Sequence, residues 1–480
     1  MAIPELTRHY VRDAVRGGRA TRTTFAVDSG LDHFPPRNAQ EGVFRIVADL
    51  DDVDFDYVPE SVAERTHQPV RWPALAGLDA QLVFDRIDMD VRGARGRFAD
   101  FPQLKVAETS ARIAGLGQAE PVLEINGRVG GPMAQALGYV QHSPLDALAG
   151  GAFARSQATG DAAIQLALRI PLHDASATTV VGTTQIQQAD LRLTPEAPVL
   201  AQTQARVDFT EHGFKVSNAR TRLLGGELQF SGQGEQEGRP EAGAGAGDIA
   251  AGRAPGQAAD PAPSAPRRRL AVQFEGQGTV TADGLVHAHE LPLLAQIGSQ
   301  LEGQTRYSAR LTSAGGQLQA RFDSDLQGLA SSLPAPFAKT AETALPVRFE
   351  ASPTGTQQDR VAFQLGERIK AVFERDLSAS YPRVRRGAIQ IDEHQAPEAA
   401  LPASGVDLGL KLDTVDVSAW QALLTAPGAD DDASPGALPS TAAGMASAAL
   451  RAHAVAGPAD GEGRGRSEAQ DGNPQSAHAA

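Results

Sequence analysis

Few residues in this sequence could do chemistry by their type and spacing. His287 and His289 stand two apart, with Glu290 after them. On a strand the two imidazoles would share a face, so a metal ion is the chemistry to consider. A closed zinc site wants four ligands, and no third and fourth recur nearby at a supporting spacing; no metal site is assigned. Asp52, Asp54 and Asp56 alternate with Val53, Phe55 and Tyr57, which matches the wet face of a strand. A calcium loop would want a mid-loop glycine and a terminal glutamate, and both are missing. Gly243, Gly245 and Gly247 lack the third spacing of a dinucleotide fingerprint and follow no strand pattern. No G-x-S-x-G elbow, G-x-x-x-x-G-K-[ST] loop or H-E-x-x-H helix occurs. Carboxylate pairs of the kind that hydrolyse glycosides are not selected by anything in the sequence. No catalytic residue and no cofactor are expected, and the chain is not expected to be an enzyme.

The elements that would have to position a site are strands. In residues 160–174, GDAAIQLALRIPLHD, the residues Ile164, Leu166, Leu168, Ile170 and Leu172 share one parity. Successive side chains of a strand point to opposite faces, so one face is apolar and something must cover it. Phe44, Ile46, Ala48 and Leu50 repeat the pattern, and Val53, Phe55 and Tyr57 continue it in the opposite parity, which predicts a bulge near Asp51 and Asp52. Leu78 to Phe84, Leu104 to Ile113 and Thr179 to Ile186 read as further strands. Ala205, Val207 and Phe209, then Glu211-His212-Gly213, then Phe214 and Val216, read as a hairpin. Helical spacing occurs over residues 5–16, with Gly17-Gly18 as the stop, and in a stretch near 132–149, and an Ala-rich stretch near 441–455 within the tail reads as a further helix.

Composition bounds the rest. With 480 residues, 41% hydrophobic and 21% charged, the chain can bury a large core. A formal charge of -14 argues against nucleic acid as a partner, and Arg267, Arg268 and Arg269 read as a solvated linker edge. The absence of cysteine excludes disulfides, thiolate catalysis and Cys-ligated metal. No apolar run approaches the ~18 residues that span a bilayer. Arg8, His9, Arg12, Asp13 and Arg16 occupy the place of a signal peptide's apolar region, so no signal or transmembrane segment is expected in this chain. The expected order is a helical lead-in over 1–20, a β segment over 21–235, a Gly/Ala/Pro-rich disordered insert over 236–268, a second β segment over 269–425, and a disordered polar tail over 426–480.

The run SDLQGLASSLPAPFAKTAETALP, Ser324 to Pro346, resembles the signature of the YhdP family, large AsmA-like proteins of Gram-negative bacteria. Further matches follow in order: DFDYVPE with Trp72-Pro73, GYVQHSPLDAL at 138–148, ATGDAAIQLALRIPL, ARVDFTEHGFKVSNARTRLLGGELQFSG, and the segment from Leu401-Pro402 to Trp420. The resemblance implies an all-β fold with a few short helices: an elongated, bent antiparallel sheet forming an open hydrophobic groove. It also implies a periplasmic protein held at the inner membrane by a transmembrane helix that this chain lacks, and phospholipid acyl chains as the partner. The implied activity is non-enzymatic transport of phospholipid between the two membranes, in the manner of bridge-like lipid transfer proteins, for outer-membrane homeostasis. The expected groove lining is Phe44, Ile46, Leu82, Phe84, Ile164, Leu166, Leu168, Ile170, Val207 and Phe209. The alternatives are a periplasmic β-sandwich array whose apolar faces pack on each other and a β-sheet hydrolase. An outer-membrane barrel is disfavoured, because 5% aromatic residues cannot furnish two interfacial girdles.

Overall fold

The computed structural model describes residues 5–412 apart from 31–33, 66–70, 237–269 and a few single or paired positions, together with residue 418. Most of the expected insert, the tail from 426 and Trp420 therefore lie outside the described residues. Alternating β-branched, aromatic and polar residues form strands because each side chain then finds either an apolar or a wet face. The first eleven strands are β1 (Val15–Ser29), β2 (Gly42–Phe55), β3 (Leu75–Asp85), β4 (Asp88–Phe98), β5 (Lys105–Ile113), β6 (Val122–Pro132), β7 (Gln157–Ala158), β8 (Asp161–Pro171), β9 (Thr179–Arg192), β10 (Leu200–Thr210) and β11 (Gly213–Leu223). The remaining ten are β12 (Gly226–Gln236), β13 (Leu270–Thr281), β14 (Leu301–Ala314), β15 (Gln317–Ser324), β16 (Leu329–Ser331), β17 (Val347–Gly355), β18 (Gln358–Leu365), β19 (Ile369–Asp376), β20 (Arg383–Asp392) and β21 (Gly405–Lys411).

All belong to one open sheet. From β1 to β6, β8 to β15 and β17 to β21 each strand pairs with the next, while β7 adds to β9 and β16 to the start of β14. Every pairing is antiparallel except β20 with β21, which is parallel. The antiparallel expectation therefore holds with one exception. At about 4.8 Å between neighbours, the sheet measures on the order of 85 Å across its strands. The two expected β segments are hydrogen-bonded to each other, since Gln236 pairs with Leu270 and the ladder runs on to Leu228 and Gly278.

Up-and-down order gives the sheet two unlike long borders. Among the described residues, six α-helices, α1 (Glu5–Ala14), α2 (Glu60–Arg65), α3 (Met133–Gln141), α4 (Pro144–Leu148), α5 (Ala282–Val286) and α6 (Pro292–Gly298), lie at strand ends on one border. The other border carries short turns, such as Arg86-Ile87 and Glu211-His212, and the connection through 237–269. The lead-in helix stops at Ala14 rather than at the glycine pair. Gly17 and Gly18 are in β1, where Gly18 has φ +117° and an added Cβ would run into Val53. Residues with positive φ at Asp52, Glu108, Gln188 and Gln202 coincide with bulges toward the helical border, and Asn218 with one midway along β11. Each extra residue bends its strand and increases its twist.

Among the described residues, a compact apolar cluster lies where α3 packs on the ends of β4 to β8. Phe98, Leu104, Val106, Ala136 and Ala162 are buried there, with Met133, Val129 and Tyr139 against them. The Phe98 and Tyr139 rings meet edge to face at 4.7 Å. Tyr139 also shares a 2.9 Å hydroxyl contact with Tyr57, and Tyr10 donates to the Tyr57 carbonyl at 3.2 Å. Burial raises the pKa of all three phenols, that of Tyr139 to about 12.

Candidate functional site

Directly opposed residues in a β-ladder point to the same face, so the register traces each face across the sheet. Starting at the first edge, Phe25 faces Ile46, which faces Phe84, then Met89, Ile113, Leu123 and Ile170. One step along β8, Leu168 faces Val180, and Leu166 faces Gly182, which leads to Phe209 and Phe214. The line continues through Gly234 and Val272. Beside it Gly232, Phe274, Leu311, Ala320, Ala351, Val361 and Phe373 follow in turn. It ends through Ile389 and Leu408 at the other edge. A single apolar face thus passes through every strand of the succession.

All ten residues expected to line a groove lie on this face, and all ten are half-buried. None is sealed in a core and none is fully in water. Ile46 and Phe84 are cross-strand partners, as are Phe209 and Gly182. Leu172, which shares their sequence parity, lies beyond β8 and is 47% exposed. Near the helical border α3 covers the face, whereas Phe25 on the first edge strand is 69% exposed. The expected set stops at Phe209, yet the second half of the sheet carries Phe274, Phe322, Phe349, Phe363 and Phe373 on the same face. Their signal was the same alternation.

The opposite face is polar and laced with ion pairs, most of them between neighbouring strands. Arg112 meets Asp88 at 3.2 Å, Arg310 meets Glu275 at 2.9 Å, and Asp323 takes both Arg321 at 2.7 Å and Arg348 at 2.8 Å. The Arg321 guanidinium holds the Asp323 carboxyl below the usual carboxylate range. Exposed pairs of this kind add little stability each, but they keep that face wet. Two concavities, of about 680 and 940 Å³, open on this polar side, around Gln204 and Arg220 and around Gln277 and Arg306.

Residues singled out earlier for chemistry are placed elsewhere. His287 and His289 are not on a strand: α5 ends at Val286, His287 caps it with its ring nitrogen 2.8 Å from the Asp283 carbonyl, and both imidazoles face solvent. Thr281 caps the start of α5 by accepting from the Gly284 amide, which is why a helix forms there. Glu290 pairs with Arg192 at 2.8 Å. No group of three or more acidic, His or Cys residues suited to a metal occurs among the described residues. Asp56 departs from the expected wet face, because β2 ends at Phe55 and the chain turns inward. Its carboxylate is 2% exposed, held by Arg71 at 2.9 Å and Arg16 at 3.3 Å.

The signature run Ser324 to Pro346 forms a small cap at the helical border. Gly328, at φ +90°, lets β16 fold back on the start of β14, and Ser331 bridges to Lys339. The Lys339 ammonium donates to the Leu326 carbonyl at 2.9 Å and to that of Leu329. Burial lowers its pKa.

Fold and face together define a class: an open, almost wholly antiparallel sheet with one polar side and one continuous apolar side that its own chain leaves partly uncovered. The profile of the family described as YhdP protein matches residues 1–251 and 258–454. The chain belongs to the YhdP family of AsmA-like proteins. No curated protein and no solved structure matches it. Among the described residues no helix is long and apolar enough to cross a membrane.

Proposed function

We propose that this chain carries phospholipid acyl chains along the apolar face of its sheet, without enzymatic chemistry, as part of a route between the inner and outer membranes of a Gram-negative periplasm. The observation that supports this most is the unbroken apolar register, edge to edge, with half-buried side chains. A buried methylene is worth about 0.8 kcal/mol, so moving a 16-carbon tail through bare water costs on the order of 12 kcal/mol. A continuous lining removes that cost at every step. Similar residues on each strand also leave no position deep enough to trap the tail.

The β-sandwich alternative needs a second sheet on the apolar face. The described strands all belong to a single sheet, and the expected lining residues on its apolar face are half-buried rather than sealed, which favours a face open to cargo. Attachment to the inner membrane through a transmembrane helix outside this chain belongs to the same proposal. Mass spectrometry of lipid bound to protein purified from a periplasmic expression host tests it. The parent should carry phospholipid, and Leu166→Glu should carry several-fold less with its β signal intact. Parent protein free of lipid would end the proposal.

A further inference from the structure

Glycine weakens a strand, yet the apolar face carries several where a larger apolar residue would seem better. Register explains them. Gly182, Gly232 and Gly234 stand directly opposite Phe209, Phe274 and Phe214. Gly278 stands opposite Tyr307 and Gly387 opposite Phe373. In each pair the aromatic ring occupies the space above the glycine. A Cβ at Gly234 would sit 2.5 Å from Phe214 Cε1, one at Gly278 3.0 Å from Tyr307 Cζ, and those at the other three would meet ring atoms more closely still. Side chains on a sheet ordinarily stand roughly perpendicular to it. These rings lean across the neighbouring strand instead.

Resting on the proposed transport of acyl chains, we infer that the glycine–aromatic pairs set the depth of the trough. A ring lying on the backbone adds about one van der Waals layer, 3.5–4 Å, to the floor. A ring made to stand by a side chain beneath it intrudes further into the cargo's space. Three of the pairs, with Gly182, Gly232 and Gly234, crowd into β9 to β13. That makes this stretch the part of the path most sensitive to floor height. Gly182 and Gly232 have no positive φ, so a larger residue fits their backbone and only the ring must move.

The test uses transfer of pyrene-labelled phosphatidylethanolamine between vesicles by the full chain. Gly232→Val should lower transfer at least tenfold, and Gly232→Val with Phe274→Ala should recover to within about threefold of the parent, because the valine fills the space the ring vacates. Ser231→Val, on the polar face of the same strand, should transfer as the parent does. If Gly232→Val loses its β signal, Gly232→Ala serves, with a loss of twofold or more. Folded Gly232 variants that transfer at the parent rate, or a double variant that folds but does not recover, would overturn the inference while leaving transport standing. A stabilising role alone would lower the melting temperature and leave transfer below that temperature unchanged, which also overturns it. A parent that moves no labelled lipid removes both the inference and the transport beneath it.

Discussion

Leu168→Arg offers the sharpest quantitative probe of the apolar face. Leu168 lies between Ile125 on β6 and Val180 on β9, half-buried, with its side chain on the apolar face. One strand spacing, about 4.8 Å, accommodates roughly four methylenes of an extended tail, since C–C bonds of about 1.5 Å zigzag and each advances only about 1.25 Å along the chain. If the guanidinium and its water displace the tail over that spacing, the loss is about 3 kcal/mol at 0.8 per methylene. Since 1.4 kcal/mol is a factor of ten, transfer should fall about a hundredfold. Folding should suffer less, about 1–2 kcal/mol, because the position is not sealed and an arginine can extend its head to water. The assay is vesicle-to-vesicle transfer of labelled phospholipid, with Ala167→Arg as companion: the same charge, one residue away, on the polar face. Equal transfer by parent and Leu168→Arg, or an equal fall in Ala167→Arg, would refute the reasoning.

Leu104, 2% exposed in the cluster beneath α3, should cost about 2–5 kcal/mol on Leu104→Ala, read by urea unfolding. Lys339→Met leaves the Leu326 and Leu329 carbonyls without their ammonium donor, at a cost of about 1–3 kcal/mol. Hydrogen exchange should quicken first in residues 325–345. Alkali tests the buried phenols: in Tyr139 and Tyr307 ionisation is pushed up to about 12 by burial. The folded state then keeps protons that the unfolded state loses above about 10, so stability is full below that pH and declines as pH rises from about 10 to 12. Absorbance of ionised tyrosine and loss of β signal should rise together over that window; ionisation of these phenols in a fully folded chain would contradict it.

The period-2 alternation made the apolar face legible, because one parity must be consistent wherever strands pair in register. That is why ten residues chosen from separate stretches share a side. Bulges were legible only where the parity changed, as at Asp51 and Asp52. Glu108, Gln188, Gln202 and Asn218 adopt positive φ without a glycine to announce it. The alternation of Asp52, Asp54 and Asp56 was extrapolated one residue past the strand, and Pro59 was the available warning that the chain was turning. His287 and His289 have the spacing of a strand face, but Thr281 and Pro292 on either side of them are the start signals of two short helices. The parallel course of β21 has no sequence signal, since the direction of a strand depends on how its connection returns.

The pairing of Gln236 with Leu270 makes residues 237–269 a detour that begins and ends at adjacent rungs. Whatever joins those two rungs, closing a longer loop costs little, about 0.6 kcal/mol for each doubling of its length, roughly the worth of one modest hydrogen bond. That corner of the molecule is accordingly where new peptide can be spliced in, an affinity tag or a fluorescent reporter, with the rest of the architecture unaware of the guest.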